Sequence, residues 1–250
     1  MPKLLIDVTR LLSRLLKGRI ATGVDRVDLA YIERYGDGSL ATVRFRGRSH
    51  MLSRTASDEV FSRVVSQRES LPLSIVSVVM RGLAGRTQRS SRAHPTLLLN
   101  TGHSGLHDPR YARALKRQGL RPVFMVHDLI PITHHEYCRA GEREKHLAGM
   151  HTVLDTAAGV ITNSQATLDE LTRFAPSVGQ PMPPARAALL APGLARLEPG
   201  PRPIAEPYFV TLGTLEPRKN HWMLLQVWRR LGGRLGKGAA PRLVVIGQRG

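Results

Sequence analysis

Two short stretches of the sequence combine residue types that could bind or transform an anionic ligand. The first is VFMVHDLIP at 123–131, an apolar run followed by His127 and Asp128. If the run is a buried strand, it delivers an imidazole and a carboxylate to the sheet edge where open α/β sheets bind ligands. Such a pair can act in catalysis, and it can equally anchor a structural loop. We predict His127 and Asp128 as candidate catalytic residues.

The second stretch, LGTLEPRKN, ends a predicted strand and enters a predicted helix that Asn220 can cap. Gly213 and Thr214 lie at the strand end, and Arg218 and Lys219 follow in the turn. Helix amino ends carry unpaired N–H groups and partial positive charge, and two fixed cations beside them favour a bound diphosphate. Two solvated basic residues in a plain turn are the alternative interpretation.

Thr22 and Gly23 form a weaker version of this arrangement near the amino terminus. They precede a predicted helix, and a glycine at such a place lets a ligand approach the backbone closely. A tight turn without a ligand explains the same two residues equally well.

Better-known motifs for phosphate, hydrolase and metal sites do not occur. No stretch fits GxxxxGK[ST], no predicted strand is followed by GxGxxG, and GHSG at 102–105 has its second glycine too early for GxSxG. His103 and His107 are spaced four residues apart. His134 and His135 are adjacent, but no cysteine or carboxylate spacing completes a four-ligand metal set. We therefore predict no metal site.

Short apolar runs alternate with amphipathic stretches along most of the chain. Strands are predicted at 3–8, 40–45, 96–100, 122–126, 159–162 and 187–191, and helices at 24–35, 57–67, 109–118, 141–156 and 165–174. The alternation is typical of crossover units. It predicts an α/β fold with a Rossmann-like, mainly parallel sheet and helices on both faces.

Proline content divides the chain into domains. We predict a first domain over 1–192, a proline-rich linker over 193–206, and the start of a second Rossmann-like domain over 207–250. The last part carries a predicted strand, helix and strand at 208–215, 221–231 and 243–247. One such unit is too small to close a core alone, so the second domain is predicted to be incomplete.

Composition excludes several classes of protein. Apolar residues make up 42% and charged residues 22% of 250 residues, which excludes a chain that is disordered throughout. The single cysteine, Cys138, excludes an internal disulfide framework and favours a reducing cytoplasm. The longest uncharged apolar stretch, at 71–80, is too short to cross a bilayer, and the first residues do not resemble a secretion signal.

The charge is strongly unbalanced. Lys and Arg number 37 against 19 Asp and Glu, a net charge of +18 that should attract a polyanionic partner. Only 5% of the residues are aromatic, which argues against a stacking platform for nucleic acid, and no nucleic-acid partner is expected. Within 71–93 an apolar run is followed by four arginines without acidic partners, and we interpret this segment as a mobile basic insert.

At three blocks the sequence resembles family 4 of the retaining glycosyltransferases, whose GT-B fold sets two Rossmann-like domains face to face. The blocks are VHDLIPITHHEYCRAGE, GVITNSQATLDEL and YFVTLGTLEPRKNHWMLLQVW, and ATGVDRV is a fourth, weaker match. Three ordered blocks at suitable separations arise by chance far less often than one short motif.

The resemblance implies transfer of a sugar from a nucleotide-diphosphate donor, with GDP-mannose among the candidates. The acceptor would be a glycan or lipid-linked glycan of surface polysaccharide biosynthesis. The new bond would keep the anomeric configuration, without a metal or cofactor. The donor would bind mainly to the second domain and the acceptor to the first.

The resemblance also implies roles for the residues singled out above. Arg218 and Lys219 would neutralise the leaving diphosphate, and Thr22 and Gly23 would line the phosphate side of the cleft. His127 would contact the donor sugar near the reacting carbon. These roles are electrostatic or positional, as expected where an enzyme stabilises a departing phosphate.

Two departures from the family pattern qualify these roles. Thr214 stands where many members have an arginine, so Arg218 would have to supply that charge. The paired glutamates and nucleotide-binding loops of the family lie beyond residue 250. We therefore expect a truncated form with little transferase activity alone, and measurable turnover by the 250-residue chain would contradict this.

Family members that modify lipid-linked glycans dock on the cytoplasmic leaflet through basic and apolar residues of the first domain. The segment 71–93 has that composition, and a solvated loop is the alternative. The expected location is the cytoplasm or, peripherally, the inner face of the plasma membrane. Rival functions are a non-catalytic basic module that binds polyanions or membranes, and a degenerate transferase that acts only as a partner subunit.

Overall fold

The computed structural model describes residues 4–19, 21–45, 48–66, 73–84, 96–191, 200–236 and 238–247. The chain divides into two compact units, Met1–Ile132 with Glu144–Gly193 and Thr133–Arg143 with Leu194–Gly250. The strands are β1 (Leu4–Asp7), β2 (Leu40–Phe45), β3 (Arg48–Met51), β4 (Leu97–Asn100), β5 (Arg121–Val126), β6 (Gly159–Thr162), β7 (Ala185–Ala187), β8 (Tyr208–Leu212) and β9 (Arg242–Ile246). The helices are α1 (Thr9–Leu15), α2 (Gly23–Tyr35), α3 (Arg54–Ser66), α4 (Ser74–Ala84), α5 (Pro109–Gln118), α6 (Ile130–Thr133), α7 (Glu142–Thr156), α8 (Gln165–Ser177) and α9 (His221–Leu235).

The first unit contains a seven-stranded sheet in the order β3-β2-β1-β4-β5-β6-β7. All neighbouring strands are parallel except β2 and β3, which are antiparallel. The chain runs from β1 to β2 on one side and later returns to place β4 on the other side of β1. The prediction of a Rossmann-like, mainly parallel α/β sheet is confirmed.

Alternate residues of the central strands pack against helices on opposite faces of the sheet. Leu5 pairs with Leu40, and both belong to a core that includes residues of α5, α7 and α8. Ile6 pairs with Ala41, and both belong to a second core that includes residues of α1, α2, α3 and α4. Burial on both faces explains why these strands read as continuous apolar runs.

The helix bounds follow the local sequence signals. In α5, Asp108 accepts a hydrogen bond from the Arg110 backbone N–H at 2.9 Å, and Pro109 occupies the first turn. Gly119 ends the helix in the left-handed conformation at φ 64°. The predicted bounds of this helix, 109–118, are confirmed.

Several elements differ from the predictions. Helices α1 and α6 and strand β3 were not predicted, and β7 begins two residues before the strand expected at 187–191. Helix α3 begins three residues earlier than predicted, and α8 ends three residues later. Within the predicted mobile insert, residues 74–84 form α4, so that interpretation is wrong for this part. Ile75 and Val78 are buried against the core, and a Cβ on Gly82 would lie 2.7 Å from the Ala56 Cβ on α3. Residues 71–72 and 85–93 lie outside the described residues.

The second unit contains a β-α-β arrangement in which β8 and β9 pair in parallel. The Phe209 and Trp228 rings meet edge to face at 5.5 Å between centroids, and Trp228 Nε1 donates to the Pro241 carbonyl at 2.7 Å. These contacts attach α9 to the two strands. The strand and helix predicted at 208–215 and 221–231 are present with shifted ends.

A helix that spans a bilayer must be both long and strongly apolar. None of the helices in the described ranges meets both requirements.

Candidate functional site

The loops after β1, β4 and β5 lie at one edge of the first unit's sheet, because the carboxyl ends of parallel strands share an edge. Strand β2 lies on one side of β1, and the chain crosses back after β3 to place β4 on the other side, so the strand order reverses between β1 and β4, and this is the topological switch point. Open α/β sheets bind ligands in the crevice outside such a point. We call the polar residues gathered there the sheet-edge cluster: Asp28, Thr101, His103, His127 and His146.

Hydrogen bonds hold the loop after β4 in a fixed shape. The Asn100 side chain donates to the Ser104 carbonyl at 3.2 Å. Arg44 donates to the same carbonyl at 2.6 Å and to the Ser104 hydroxyl at 2.8 Å, and its guanidinium stacks on the Tyr111 ring. Gly105 adopts φ +67°, and a Cβ there would lie 1.3 Å from Arg44 Nη1. The glycine is therefore required by both its conformation and its neighbour.

Three histidine rings come together beside this loop. The His103 ring centroid lies 5.1 Å from that of His127 and 5.9 Å from that of His146. His127 Nε2 lies 2.7 Å from the Thr101 carbonyl oxygen, and His146 Nε2 lies 3.0 Å from the Asp128 carbonyl oxygen. Each of the three residues is partly exposed, but the Nε2 atom of His103 is buried. The sequence motif predicted one member of this group, His127.

Burial favours the uncharged form of two of these rings. It lowers the pKa of His103 from 6.5 to about 3, and the neighbouring His127 and His146 add to the effect. Burial also lowers the pKa of His127. His103 Nε2 is buried without a hydrogen-bond partner among the described residues. An unsatisfied buried nitrogen costs about 1–3 kcal/mol, so it marks a site that is not optimised for stability alone.

Asp28 on α2 is a buried acid that contacts the same loop. Its carboxylate accepts a hydrogen bond from the Thr101 hydroxyl. A Cβ on Gly102 would lie 2.7 Å from Asp28 Oδ2, so the loop backbone passes directly against the carboxyl group. Burial raises the pKa of Asp28 from 3.8 to about 7, against the opposing effects of Thr101 and Arg10. Asp28 can therefore gain or lose a proton near neutral pH.

Thr22 and Gly23, predicted to line the phosphate side, begin α2. Asp25 accepts hydrogen bonds from the Thr22 backbone N–H and hydroxyl, both at 2.7 Å. Asp25 also pairs with Arg14 at 2.7 Å and with Arg10 at 3.3 Å. Burial opposes its ionisation, but the Thr22 hydrogen bonds and the two arginines lower its pKa overall. Gly23 is exposed, and the space where its Cβ would project is open.

Asp128, the other predicted catalytic residue, supports its own loop. Its side chain accepts a hydrogen bond from the Ile130 backbone N–H at 3.1 Å, and its carbonyl oxygen faces His146. The adjacent His127 carbonyl accepts a bond from the Thr167 hydroxyl at the start of α8, at 3.3 Å. These contacts favour the loop-anchor interpretation for Asp128, while the His127 ring remains directed to the cluster.

In the second unit, the predicted diphosphate residues occupy the turn between β8 and α9. The Gly213 N–H donates to the Ile246 carbonyl at 2.9 Å, and Pro217–Lys219 form a short 3₁₀ turn. Asn220, at φ 49°, accepts a bond from the Met223 N–H at 3.2 Å, which confirms the predicted cap. We call Arg218 and Lys219 the basic turn.

The two cations of the basic turn differ in their surroundings. Arg218 Nε donates to Glu216 Oε2 at 2.6 Å, so a carboxylate already compensates part of its charge. Lys219 is exposed, and no ion pair involving it is found in the described part of the chain. Thr214, two residues after β8, is partly exposed. The predicted diphosphate residues therefore lie in one short segment of the second unit: Gly213, Thr214 and the basic turn. The other predicted site residues lie in the first unit: Thr22, Gly23, His127 and Asp128.

The described ranges contain no set of three or more histidine, cysteine or acidic side chains arranged to hold a metal ion. The pair His103 and His107 does not converge, because His103 faces His127 and His146 while His107 is exposed.

A scan of family models and searches of curated proteins and of solved structures found no match to this chain. The functional proposal therefore rests on the fold, on the side chains described above and on the resemblance of the sequence blocks.

Sequence reasoning missed most of the sheet-edge cluster. The periodicity of the helix predicted at 24–35 gave no sign that Asp25 and Asp28 are buried, although both are. His146 lies inside α7, where periodicity gives no sign of chemistry. One usable signal was GHSG after β4, because it places His103 at the carboxyl end of a central strand.

Proposed function

We propose that this chain is a retaining glycosyltransferase that moves a sugar from a nucleotide-diphosphate donor to a glycan or lipid-linked glycan acceptor. The observation that carries the proposal is the basic turn: Arg218 and Lys219 lie between a strand end and a capped helix. The seven-stranded sheet of the first unit and its polar switch point add support. GDP-mannose is the first donor to test, on the resemblance of the sequence blocks alone.

The chemistry of glycosyl transfer explains why this turn matters. When the bond to the donor sugar breaks, negative charge develops on the leaving diphosphate. Fixed cations and helix N–H groups stabilise that charge without rearranging, which lowers the barrier. Arg218 and Lys219 supply the cations, and Gly213 and Thr214 line the approach to them. Within the first unit, His127, with Asp128 supporting its loop, is the proposed sugar contact, and Thr22 and Gly23 are the proposed phosphate-binding residues.

The same proposal includes a membrane partner, which one observation favours. Helix α4 buries one face and leaves Val76 and Met80 exposed on another. Leu73, just before the helix, is exposed too. Arg81, in the last turn, adds positive charge beside this apolar stripe. A helix of this kind can lie in the interface of an anionic membrane. The cytoplasmic face of the plasma membrane is the location we propose.

The test is a ligand series that separates diphosphate recognition from general polyanion binding. Guanosine, GMP, GDP and GDP-mannose are titrated into the purified chain by calorimetry at fixed ionic strength, with heparin as the polyanion. Binding is measured because it requires no acceptor of known structure. We expect GDP to bind about tenfold or more tightly than GMP.

A non-catalytic basic module behaves differently in this series. Its affinity for heparin would fall steeply with salt, and GDP would show no preference over GMP. That result would replace glycosyl transfer by polyanion binding as the function.

A further inference from the structure

Strand β8 has one backbone edge that pairs with β9 and one that does not. At the ends of the pairing, the Pro207 carbonyl accepts a hydrogen bond from β9 at 2.9 Å, and the Gly213 N–H donates to β9 at 2.9 Å. Backbone groups alternate in direction along a strand, so odd-numbered residues face β9 and even-numbered residues face away from it. The outward-facing residues are Tyr208, Val210 and Leu212. Their N–H and C=O groups have no hydrogen-bond partner among the described residues.

The side chains along this outer edge are apolar and open to solvent. Val210 is 52% exposed and Leu212 is 76% exposed. Both point away from α9, because the neighbouring Phe209 packs on Trp228 of that helix and side chains alternate between the faces of a strand. Strand β8 contains no proline and no charged residue, two features that keep exposed edges from pairing. This edge can therefore accept another strand.

Positive charge lies at both ends of the edge. At the start of β8, the Arg202 guanidinium lies over the Tyr208 ring, 5.5 Å from its centroid. At the other end, a Cβ on Gly213 would lie 3.9 Å from Lys219 Cε. In the part of the chain that the structure describes, neither Arg202 nor Lys219 forms an ion pair. Both cations are therefore available to an acidic ligand.

Three kinds of partner could meet this edge, and the observations favour one of them. A bilayer offers no hydrogen-bonding groups to a strand edge, so it would leave the backbone of β8 unsatisfied. A second copy of the chain would set its own Arg202 and Lys219 against these cations, whether the two β8 edges paired parallel or antiparallel. Like charges directly opposite each other destabilise a strand pair. A strand of another protein with an acidic residue at each end satisfies both the backbone and the cations.

We propose that the outer edge of β8 binds an extended segment of an acidic partner protein, which adds a strand to the β8–β9 sheet. Acidic side chains at the ends of the segment pair with Arg202 and Lys219. Apolar side chains between them cover Val210 and Leu212. The stretch between the two acids is about five residues long, to match the length of β8. This interface goes beyond glycosyl transfer and does not depend on it.

The test uses two synthetic peptides that differ only in their ability to pair as strands. The first has a glutamate at each end and alternating valine and threonine between them. The second has the same side chains and carries N-methyl groups on all its central residues, so neither of its edges can donate hydrogen bonds. Both are titrated into the full 250-residue chain without nucleotide, because Lys219 also belongs to the basic turn. The first peptide should bind about tenfold or more tightly than the second.

Amide exchange measured by ¹H–¹⁵N NMR identifies the edge that is used. The first peptide should slow the exchange of the outward-facing amides of Tyr208, Val210 and Leu212. The amides of Phe209 and Thr211 face β9 and should change little. Equal affinity of the two peptides, or equal protection of all five amides, would overturn the proposal. So would a concentration-dependent dimer of the chain alone that protects the three outward-facing amides, because a second copy would then occupy the edge.

Variants separate the two edges of the sheet. Val210→Pro removes an outward-facing N–H without removing a bond to β9, and it should weaken binding of the first peptide about tenfold or more. Val245→Pro makes the same change at the outer edge of β9 and should leave binding intact. Arg202→Gln keeps the strand unchanged and should weaken binding of the first peptide, but not of a peptide with glutamine at both ends. Equal effects of the two proline variants, or no effect of Arg202→Gln, would contradict an acidic strand at β8.

Discussion

At the scale of single residues, burial decides the chemistry of the sheet-edge cluster. Asp28 is 3% exposed, and its pKa is raised to about 7 because the charged form is poorly solvated. Below about pH 4 the carboxyl group is protonated in both the folded and the unfolded chain. As the pH rises further, the unfolded chain ionises first, so folding loses stability until about pH 7.

Asp28→Asn should remove this pH dependence while keeping an acceptor for the Thr101 hydroxyl. The pKa difference corresponds to about 4 kcal/mol, by which the free energy of unfolding of the wild-type protein falls between about pH 4 and about pH 7. Urea unfolding at about pH 5 and about pH 8 should therefore show the variant gaining stability relative to wild type. The exposed Asp37→Asn serves as the matched control. Parallel pH profiles for wild type and Asp28→Asn would contradict a raised pKa.

Gly105→Ala should be more destabilising than an ordinary glycine substitution. Gly105 and Gly119 have nearly the same φ, +67° and +64°, but a Cβ would meet Arg44 only at Gly105. We expect about 1 kcal/mol for Gly119→Ala and about 3 kcal/mol for Gly105→Ala, because Arg44 must leave Ser104. Denaturant unfolding measures both. In an Arg44→Ala background the two costs should become equal, and a persistent difference would show that Arg44 is not responsible.

The sequence predicted some of these residues and not others for a physical reason. His127 follows an apolar strand, so its place at a sheet edge could be inferred from the chain alone. Asp25 and Asp28 lie among helical apolar positions, and periodicity assigns such acids to solvent. Only the tertiary packing of α1 and the β4 loop against α2 buries them.

At the scale of elements, the start of α8 connects a helix cap to the His127 loop. Ser164 Oγ accepts the Thr167 N–H at 3.1 Å, and the Thr167 hydroxyl donates to the His127 carbonyl. A capping residue therefore also fixes the backbone that carries a candidate site residue.

Ser164→Ala should cost about 1 kcal/mol and loosen this connection. The Thr167 amide should exchange faster with solvent, and the His127 ring resonances should shift. Ser177→Ala, at the exposed end of the same helix, is the control and should change neither. Unchanged Thr167 exchange in Ser164→Ala would show that the cap contributes nothing.

Most elements could be predicted because their signals are local. The bounds of β2, α5 and β6 are confirmed as predicted, since each has clear apolar runs or caps. Strand β3 forms only by pairing with β2, which the sequence does not reveal. The segment at 71–93 was predicted to be a mobile insert because of its arginines, but residues 74–84 form α4, whose apolar face packs on α3.

At the scale of the whole molecule, the net charge of +18 and the exposed stripe of α4 should act together on an anionic surface. Each basic residue near such a surface contributes about 1 kcal/mol, and salt screens that part. Exposed apolar side chains add a salt-independent part.

Flotation with anionic vesicles should therefore recover the chain, and recovery should fall with salt. Leu73→Ser with Met80→Ser should lower the partition coefficient about tenfold or more. Leu189→Ser with Leu190→Ser, two exposed leucines elsewhere in the first unit, should change it little. Equal recovery on neutral and anionic vesicles would contradict electrostatic docking.

The most direct measurement is the affinity of GDP for two double variants that lose the same charge. Arg218→Gln with Lys219→Gln removes the basic turn, and Arg229→Gln with Arg230→Gln removes an exposed pair on α9. If the basic turn holds the diphosphate, the first variant should bind GDP about a hundredfold more weakly, and the second should remain within about twofold of wild type. Equal losses in both variants, or no loss in the first, would contradict a diphosphate site at this turn.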